Sequence, residues 1–191
     1  MVWKNDQVSE LETKKIIEVA KGQLNAHGDF VELGCYKGDT SLLLAEILRD
    51  SNKKLWIYDS FEGLPKKSVE DASVMGENFR SGELFATKRE VKERFLRAGL
   101  PVPVIKKAWF SELKDEDLPE KIAFAFLDGD FYDSIRVSLR LVDNKMCSGG
   151  KIIIHDYDNE ALPGVKKAVD EWLLEKSIKK EVYQSMLVTA L

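Results

Sequence analysis

The chain has 191 residues, 44% hydrophobic and 32% charged, and 29 Lys and Arg against 33 Asp and Glu leave a net charge of -4. That composition excludes a disordered chain, and the mildly acidic balance argues against nucleic acid or an anionic membrane surface as a partner. No apolar run approaches the roughly 18 residues of a membrane-spanning helix. The opening MVWKNDQVSE has no charged-then-apolar leader pattern, so one cytoplasmic domain over residues 1–191 is expected, alone or as a homo-oligomer. Cys35 and Cys147 lack metal-ligand spacing and cannot build a disulfide framework.

Ser9 and Glu12 have capping-box spacing, and Ile17, Ala20 and Leu24 follow at helical intervals. They predict a short N-terminal helix within residues 1–28, closed by Gly28. Phe30–Leu33 is a strand holding one acid, Glu32. Gly34 and Gly38 follow, then a helix over Ser41–Leu48 and a strand over Leu55–Tyr58 that runs into Asp59. Ser60–Ser81 is polar and loop-like. Thr87 and Glu90 offer a second capping box, and Gly99 stops that helix. Val102–Ile105 is the third strand.

Ile122–Leu127 is apolar without alternation, as a strand buried on both faces must be. Ile135, Leu139, Val142 and Met146 share a helix face. Gly149-Gly150 is expected to turn the chain into a strand over Lys151–Ile154. Val165, Ala168, Val169, Trp172 and Leu173 mark an amphipathic helix. Glu181–Gln184 and Met186–Ala190 are two further strands. Strands alternating with helices predict βαβ units and a mostly parallel sheet.

Ligands of such sheets sit beyond the carboxyl ends of the strands. The residues there are Glu32-Leu-Gly34, Asp59, Ala108-Trp109, Asp128-Gly-Asp130 and His155-Asp156. Gly34 and Gly38 would let a ligand approach the backbone at a helix N-terminus, although a plain strand-to-helix turn explains them equally well. Their spacing is not that of a dinucleotide fingerprint. Asp59 follows Gly34 by 25 residues, near the distance at which an acid holds a ribose. Asp128 and Asp156 would meet if their strands are neighbours, and a divalent cation would relieve their repulsion. His155 is a candidate metal ligand, general base or structural hydrogen bonder. Asp133 and Asp158 read as helix caps. Phe61, Trp109, Phe131 and Tyr157 could wall a pocket or serve the core.

Phe30-Val-Glu32-Leu-Gly34-x-x-x-Gly38 with Asp59 resembles the S-adenosylmethionine site of class I methyltransferases. Tyr58-Asp-Ser-Phe-Glu-Gly-Leu-Pro65, Leu127-Asp-Gly-Asp-Phe-Tyr-Asp-Ser134 and Gly149-Gly-Lys-Ile-Ile-Ile-His-Asp-Tyr157 resemble the macrocin O-methyltransferase family. The resemblance implies a Rossmann-like α/β sandwich, a mostly parallel seven-stranded sheet ending in an antiparallel hairpin. It implies Mg²⁺-dependent methyl transfer from S-adenosyl-L-methionine to a hydroxyl of a small molecule, a sugar or a natural-product diol or catechol. Glu32, Gly34 and Gly38 would cradle the methionine part of the cofactor, and Asp59 the ribose. Ser60 and Phe61 would lie beside the adenine, with Trp109 and Asp128 also in contact. Asp128 and Asp156 would bind the ion, together with His155, which stands where the family usually has an acid. Asp130 would take the hydroxyl proton, with His155 the other candidate. The stretch before Phe30 is shorter than the family's N-terminal helical region, so a short or absent lid is expected.

Two readings compete. A metal-dependent nucleotide-sugar glycosyltransferase would use the Asp128-Gly-Asp130 motif but leaves the Glu32–Gly38 turn and Asp59 without work. A non-catalytic S-adenosylmethionine-binding protein would need the turn alone.

Overall fold

Everything is hung on Ile122–Leu127, where six consecutive side chains are buried. A strand covered on both faces needs neighbours on both edges and helices on both sides. The computed structural model, which describes residues 7–176 and 178–191, supplies them. Residues 1–6, at the start of the expected N-terminal segment, and Ser177 lie outside the described residues.

In chain order the elements are α1 (Glu10–Gly22), β1 (Asp29–Leu33), α2 (Asp39–Leu48), β2 (Leu55–Asp59), α3 (Lys88–Ala98) and β3 (Val104–Lys107). Then come β4 (Ile122–Leu127), α4 (Tyr132–Asp143), β5 (Met146–Ile154), α5 (Pro163–Leu174), β6 (Lys180–Tyr183) and β7 (Met186–Ala190). The strands form one sheet in the order β3-β2-β1-β4-β5-β7-β6. The first five are parallel, and β7 runs antiparallel to both β5 and β6.

The two faces of the sheet divide the core. Val31, Leu33, Ala125, Leu127, Ile152 and Ile154 pack with α4 and α5. Phe30, Ile57, Phe124, Phe126 and Ile153 pack with α1, α2 and α3. Successive strand residues point to opposite faces, so Phe124 and Ala125 belong to different layers.

Several boundaries differ from the expected ones. The first helix ends at Gly22, and Gly28, at φ +112°, instead turns the chain into β1. A Cβ there would lie 2.5 Å from the Lys121 carbonyl oxygen. The second helix starts two residues earlier, at Asp39, the second strand extends by one to Asp59, and β3 lies two residues later than expected. The Met146 side chain keeps the helical spacing of α4 but belongs to β5. Between Ile122↔Met146 and Phe124↔Lys151 the register shifts, so Cys147–Gly150 bulge out of β5 rather than turning the chain before it. At the C-terminal hairpin Gln184, at φ +55°, is in the turn and not in β6.

Neither Asp133 nor Asp158 caps a helix. Asp133 is inside the first turn of α4 and pairs with Arg136, while Asp158 pairs with Lys166. The N-cap position of α4 is Phe131, whose side chain accepts nothing. Its place is taken by Asp71, from the segment expected to be loop. The buried Asp71 carboxylate accepts the Tyr132 amide at 2.7 Å through Oδ1, and the Ser68 amide and hydroxyl at 2.9 and 2.7 Å through Oδ2. Gly164 leaves it room, since a Cβ at that position would meet Asp71 Oδ1 at 1.9 Å. Asp71→Ala should lower stability by about 1–3 kcal/mol, the cost of leaving buried donors unpaired. Urea denaturation should show a lower midpoint at an unchanged slope.

Candidate active site

The strand order reverses between β1 and β4, and the cleft opens at the carboxyl ends of these strands, as the topology requires. Each of the four strands bordering it is followed by a non-glycine residue in the left-handed region: Tyr36 after β1, Phe61 after β2, Asp130 after β4 and Asp156 after β5. Such backbone costs energy and tends to gather at functional sites.

Gly34 has φ +92°, and a Cβ on it would lie 1.9 Å from the Asp128 carbonyl oxygen. Its missing side chain is therefore filled by β4, which brings the ends of β1 and β4 together. Gly38, at φ +83°, is the N-cap of α2 and packs against Val91; it does not line the cleft.

Asp59 is bound by the chain itself. Its Oδ2 accepts the Cys35 and Tyr36 amides at 2.8 and 3.2 Å, and its Oδ1 accepts the Phe61 amide at 2.7 Å. The acid at the end of β2 thus latches the glycine turn after β1 while still lining the cleft. Ser60 also lines it, and its hydroxyl donates to the Gly63 carbonyl. Phe61 points into the core at 4% exposure, away from the cleft, so its expected place beside a ligand is not found. Phe131 and Tyr157 are likewise core residues, whereas Trp109 does line the cleft. Burial and the neighbouring Asp59 carboxylate push the Cys35 thiol well up, so it stays protonated and inert.

Glu32 is buried and accepts a short hydrogen bond from the Ser41 hydroxyl. Burial raises its carboxyl well above the usual range; the Ser41 bond opposes this, and Asp128, Asp59 and Asp39 add to it. Glu32 thus lines the cleft from the end of β1.

The parallel pairing of β4 with β5 brings the remaining acids together. His155 Nδ1 is 3.1 Å from Asp128 Oδ1 and 3.0 Å from Asp156 Oδ2. Asn159 donates to Asp156 Oδ1 at 2.8 Å and holds that carboxylate. One donor atom from each of Asp128, His155 and Asp156 falls within 4.8 Å of the others, a set that could hold a metal ion. Burial would lower the His155 imidazole, but Asp128, Asp156 and Glu12 outweigh it and raise it well above its ordinary value. Asp130 lines the same cleft. Burial first, then Asp128 and Asp156, lift its carboxyl well above the usual range, against an opposing pull from His155.

Glu12 is the residue whose part in the site the sequence concealed. The capping box is present, with Oε2 accepting the Ser9 amide and hydroxyl at 3.0 and 2.7 Å. Oε1 also accepts the Ser185 hydroxyl from the β6–β7 turn at 2.5 Å, and Oε2 lies 3.9 Å from His155 Nε2. Nothing in local spacing signals a contact across 143 positions; only an acid with 6% exposure could have hinted at it. The loop residues Phe79 and Leu84, which also line the cleft, carried no signal either.

A model of the Macrocin-O-methyltransferase (TylF) family matches residues 8–188. The chain belongs to that family. Among curated members, the 8-demethyl-8-(2,3-dimethoxy-alpha-L-rhamnosyl)-tetracenomycin-C 4'-O-methyltransferase of Streptomyces olivaceus is 29% identical over 76% of this chain and 58% of its own length. The demethyldecarbamoylnovobiocin O-methyltransferase of Streptomyces niveus is 29% identical over 83% of this chain and 63% of its own. The chain thus spans about three fifths of the length of these macrocin O-methyltransferase relatives. In fold it is similar to the O-methyltransferase NovP, with TM-score 0.81 and 24% identity over 93% of this chain and 78% of that one. It is also similar to the calicheamicin methyltransferase CalS11, with TM-score 0.77 and 15% identity over 96% and 80%. The class I methyltransferase fold expected from the motifs is the fold found.

Gly34→Ala should cost about 2–5 kcal/mol, from a left-handed backbone plus the collision with β4. A thermal melt should show the loss, and a Gly38→Ala variant, facing only a 3.2 Å contact with the Val91 side chain, should lose less. Glu12 predicts a pH dependence. His155 foremost, then Ser185 and Ser9, hold its carboxyl well below the usual 4.5 against the cost of burial. A depressed native value stabilises above the unfolded value and is lost as pH falls below about 4.5. Between pH 5 and 3 the melting temperature should fall more steeply for the native chain than for Glu12→Gln.

Proposed function

We propose that the chain is an S-adenosylmethionine-dependent O-methyltransferase acting on a hydroxyl of a sugar or related natural product. The observation that carries this reading is the cleft at the β1/β4 switch, where Glu32, Asp59, Asp128, Asp130 and Asp156 meet on a family-matched scaffold. The cofactor supplies a methyl group on a sulfonium that is already an activated leaving group. Its cationic centres suit a cleft walled by acids, and the named acceptor of one curated relative above carries a rhamnosyl group.

The residues have separable tasks. Gly34 and the Asp59 latch fix the backbone of Cys35 and Tyr36 against which the cofactor would lie. With three of its roughly four lone-pair positions used by amides, Asp59 has one left for a ribose hydroxyl. Trp109 and Ser60 flank the place of the base. Asp128, His155 and Asp156 suit a divalent cation: two carboxylates and an imidazole converge, and donor spacings of 3.0 and 3.1 Å match ligands sharing one ion. Such an ion, Mg²⁺ or another, would orient acceptor oxygens and lower the pKa of the hydroxyl. Asp130 faces the cleft from a left-handed turn and accepts the hydroxyl proton. Its raised pKa makes it a better base than an ordinary aspartate, and positive charge arriving in the cleft lowers it towards its ionised form.

Calorimetry should show S-adenosylmethionine binding and no binding of a nucleotide sugar; the reverse would favour a glycosyltransferase. Product formation across a panel of glycosides and catechols then tests turnover. Asp130→Asn should lower kcat by about 10²–10⁴-fold with cofactor affinity little changed. The native enzyme should show an acid limb in kcat, and that limb should disappear in the variant. An Asn variant of full activity removes Asp130 from the chemistry.

A further inference from the structure

The cation reading of Asp128, His155 and Asp156 leaves one atom unexplained. His155 is 4% exposed, and its Nε2 is buried with no hydrogen-bond partner, although Glu12 Oε2 lies only 3.9 Å away. A buried imidazole nitrogen is seldom left so. Its other nitrogen, Nδ1, is aimed between two carboxylate oxygens at 3.1 and 3.0 Å. Two ligands at right angles on an ion, each about 2.1 Å from it, lie about 3.0 Å apart. The spacing therefore fits Nδ1 as a ligand. Once Nδ1 gives its lone pair to an ion, the ring must carry its proton on Nε2, and that proton needs an acceptor. Glu12 is the only carboxylate placed to be one among the described residues. The gap closes to hydrogen-bond length with a ring movement of about 1 Å.

We propose that Asp128, His155 and Asp156 form a mixed nitrogen–oxygen site for a first-row transition-metal dication such as Mn²⁺ or Co²⁺, in preference to Mg²⁺, and that Glu12 positions the imidazole from behind. The proposal rests on the reading of this cluster as a cation site and adds which ion it selects and what orients the nitrogen. Mg²⁺ takes oxygen donors, and replacing one with imidazole moves preference towards ions that accept nitrogen. Ligating histidines donate their free N–H to a carboxylate or carbonyl that fixes the ring. Glu12 is itself fixed. Ser9 holds one carboxylate oxygen and Ser185 the other, so α1 and the β6–β7 turn together aim it at the ring.

The test uses the full chain stripped of metal, titrated with MnCl₂, CoCl₂ and MgCl₂ by calorimetry, with S-adenosylmethionine titrated separately. Mn²⁺ and Co²⁺ should each bind at least 10-fold more tightly than Mg²⁺, with visible Co²⁺ bands and an electron spin echo modulation from one nitrogen on Mn²⁺. His155→Asp should abolish the nitrogen signal and shift preference to Mg²⁺. Glu12→Gln should weaken Mn²⁺ binding by about 10–100-fold and alter the Co²⁺ bands. Lys14→Gly, at an exposed position paired only with Glu10, loosens the same helix without touching the Glu12 carboxylate or its serine partners and should leave the Co²⁺ spectrum unchanged. Equal loss in Lys14→Gly would make Glu12 a helix anchor only and overturn its part. Cofactor binding without binding of any ion, or with Mg²⁺ bound as tightly as Mn²⁺ and no nitrogen signal, would overturn the site while sparing the methyltransferase reading. Failure of the cofactor to bind would strike that reading instead.

Discussion

Carboxylates crowd the carboxyl edge of this sheet, and the surrounding structure is organised around keeping them there. Glu32, Asp59, Asp128, Asp130, Asp156 and the incoming Glu12 would repel one another if all were charged and unmatched. Each is settled differently. Asp59 spends its charge on three backbone amides. Glu32 is buried, has its carboxyl raised well above the usual range, and accepts the Ser41 hydroxyl. Asp128 and Asp156 share His155. Glu12 is bracketed by two serines from opposite ends of the chain. Asp130 stands beside Asp128 and Asp156, which together with burial raise its carboxyl well above the usual range.

The fold was legible because its signals are local. Ile122–Leu127 announces a doubly covered strand, and Ser9/Glu12 and Thr87/Glu90 announce helix starts, without reference to any other part of the chain. The misplacements share one cause. Met146 and Gly149-Gly150 keep the local pattern of helix and turn, yet pairing with β4 draws them into a bulged strand. Tertiary hydrogen bonding outweighed propensity there.

The site was legible at strand ends for the same topological reason: acids placed there converge whatever the loops do. What the sequence could not show was where each carboxylate's hydrogen bonds go. Asp59 read as a ligand holder and also latches the turn after β1; Glu12 read as a cap and also reaches towards His155; Asp71, in a stretch without periodicity, caps a helix 61 positions on. Phe61 and Gly38 followed the right residues in sequence but face the core and a helix start. Hydrogen-bond partners across such separations are set only by the assembled fold.

The Asp71–Tyr132 bond has a consequence for how the cleft wall moves. First-turn amides of a helix usually have no partner inside the helix and exchange their protons with water freely. Tyr132 is an exception, because its amide ends on a buried carboxylate carried by the segment between β2 and α3, the same segment whose Leu64, Phe79 and Leu84 wall the cleft. Exchange at that amide requires the Asp71 bond to break. Its rate therefore reports, at a single proton, on the contact between that segment and α4, readable without knowing the acceptor.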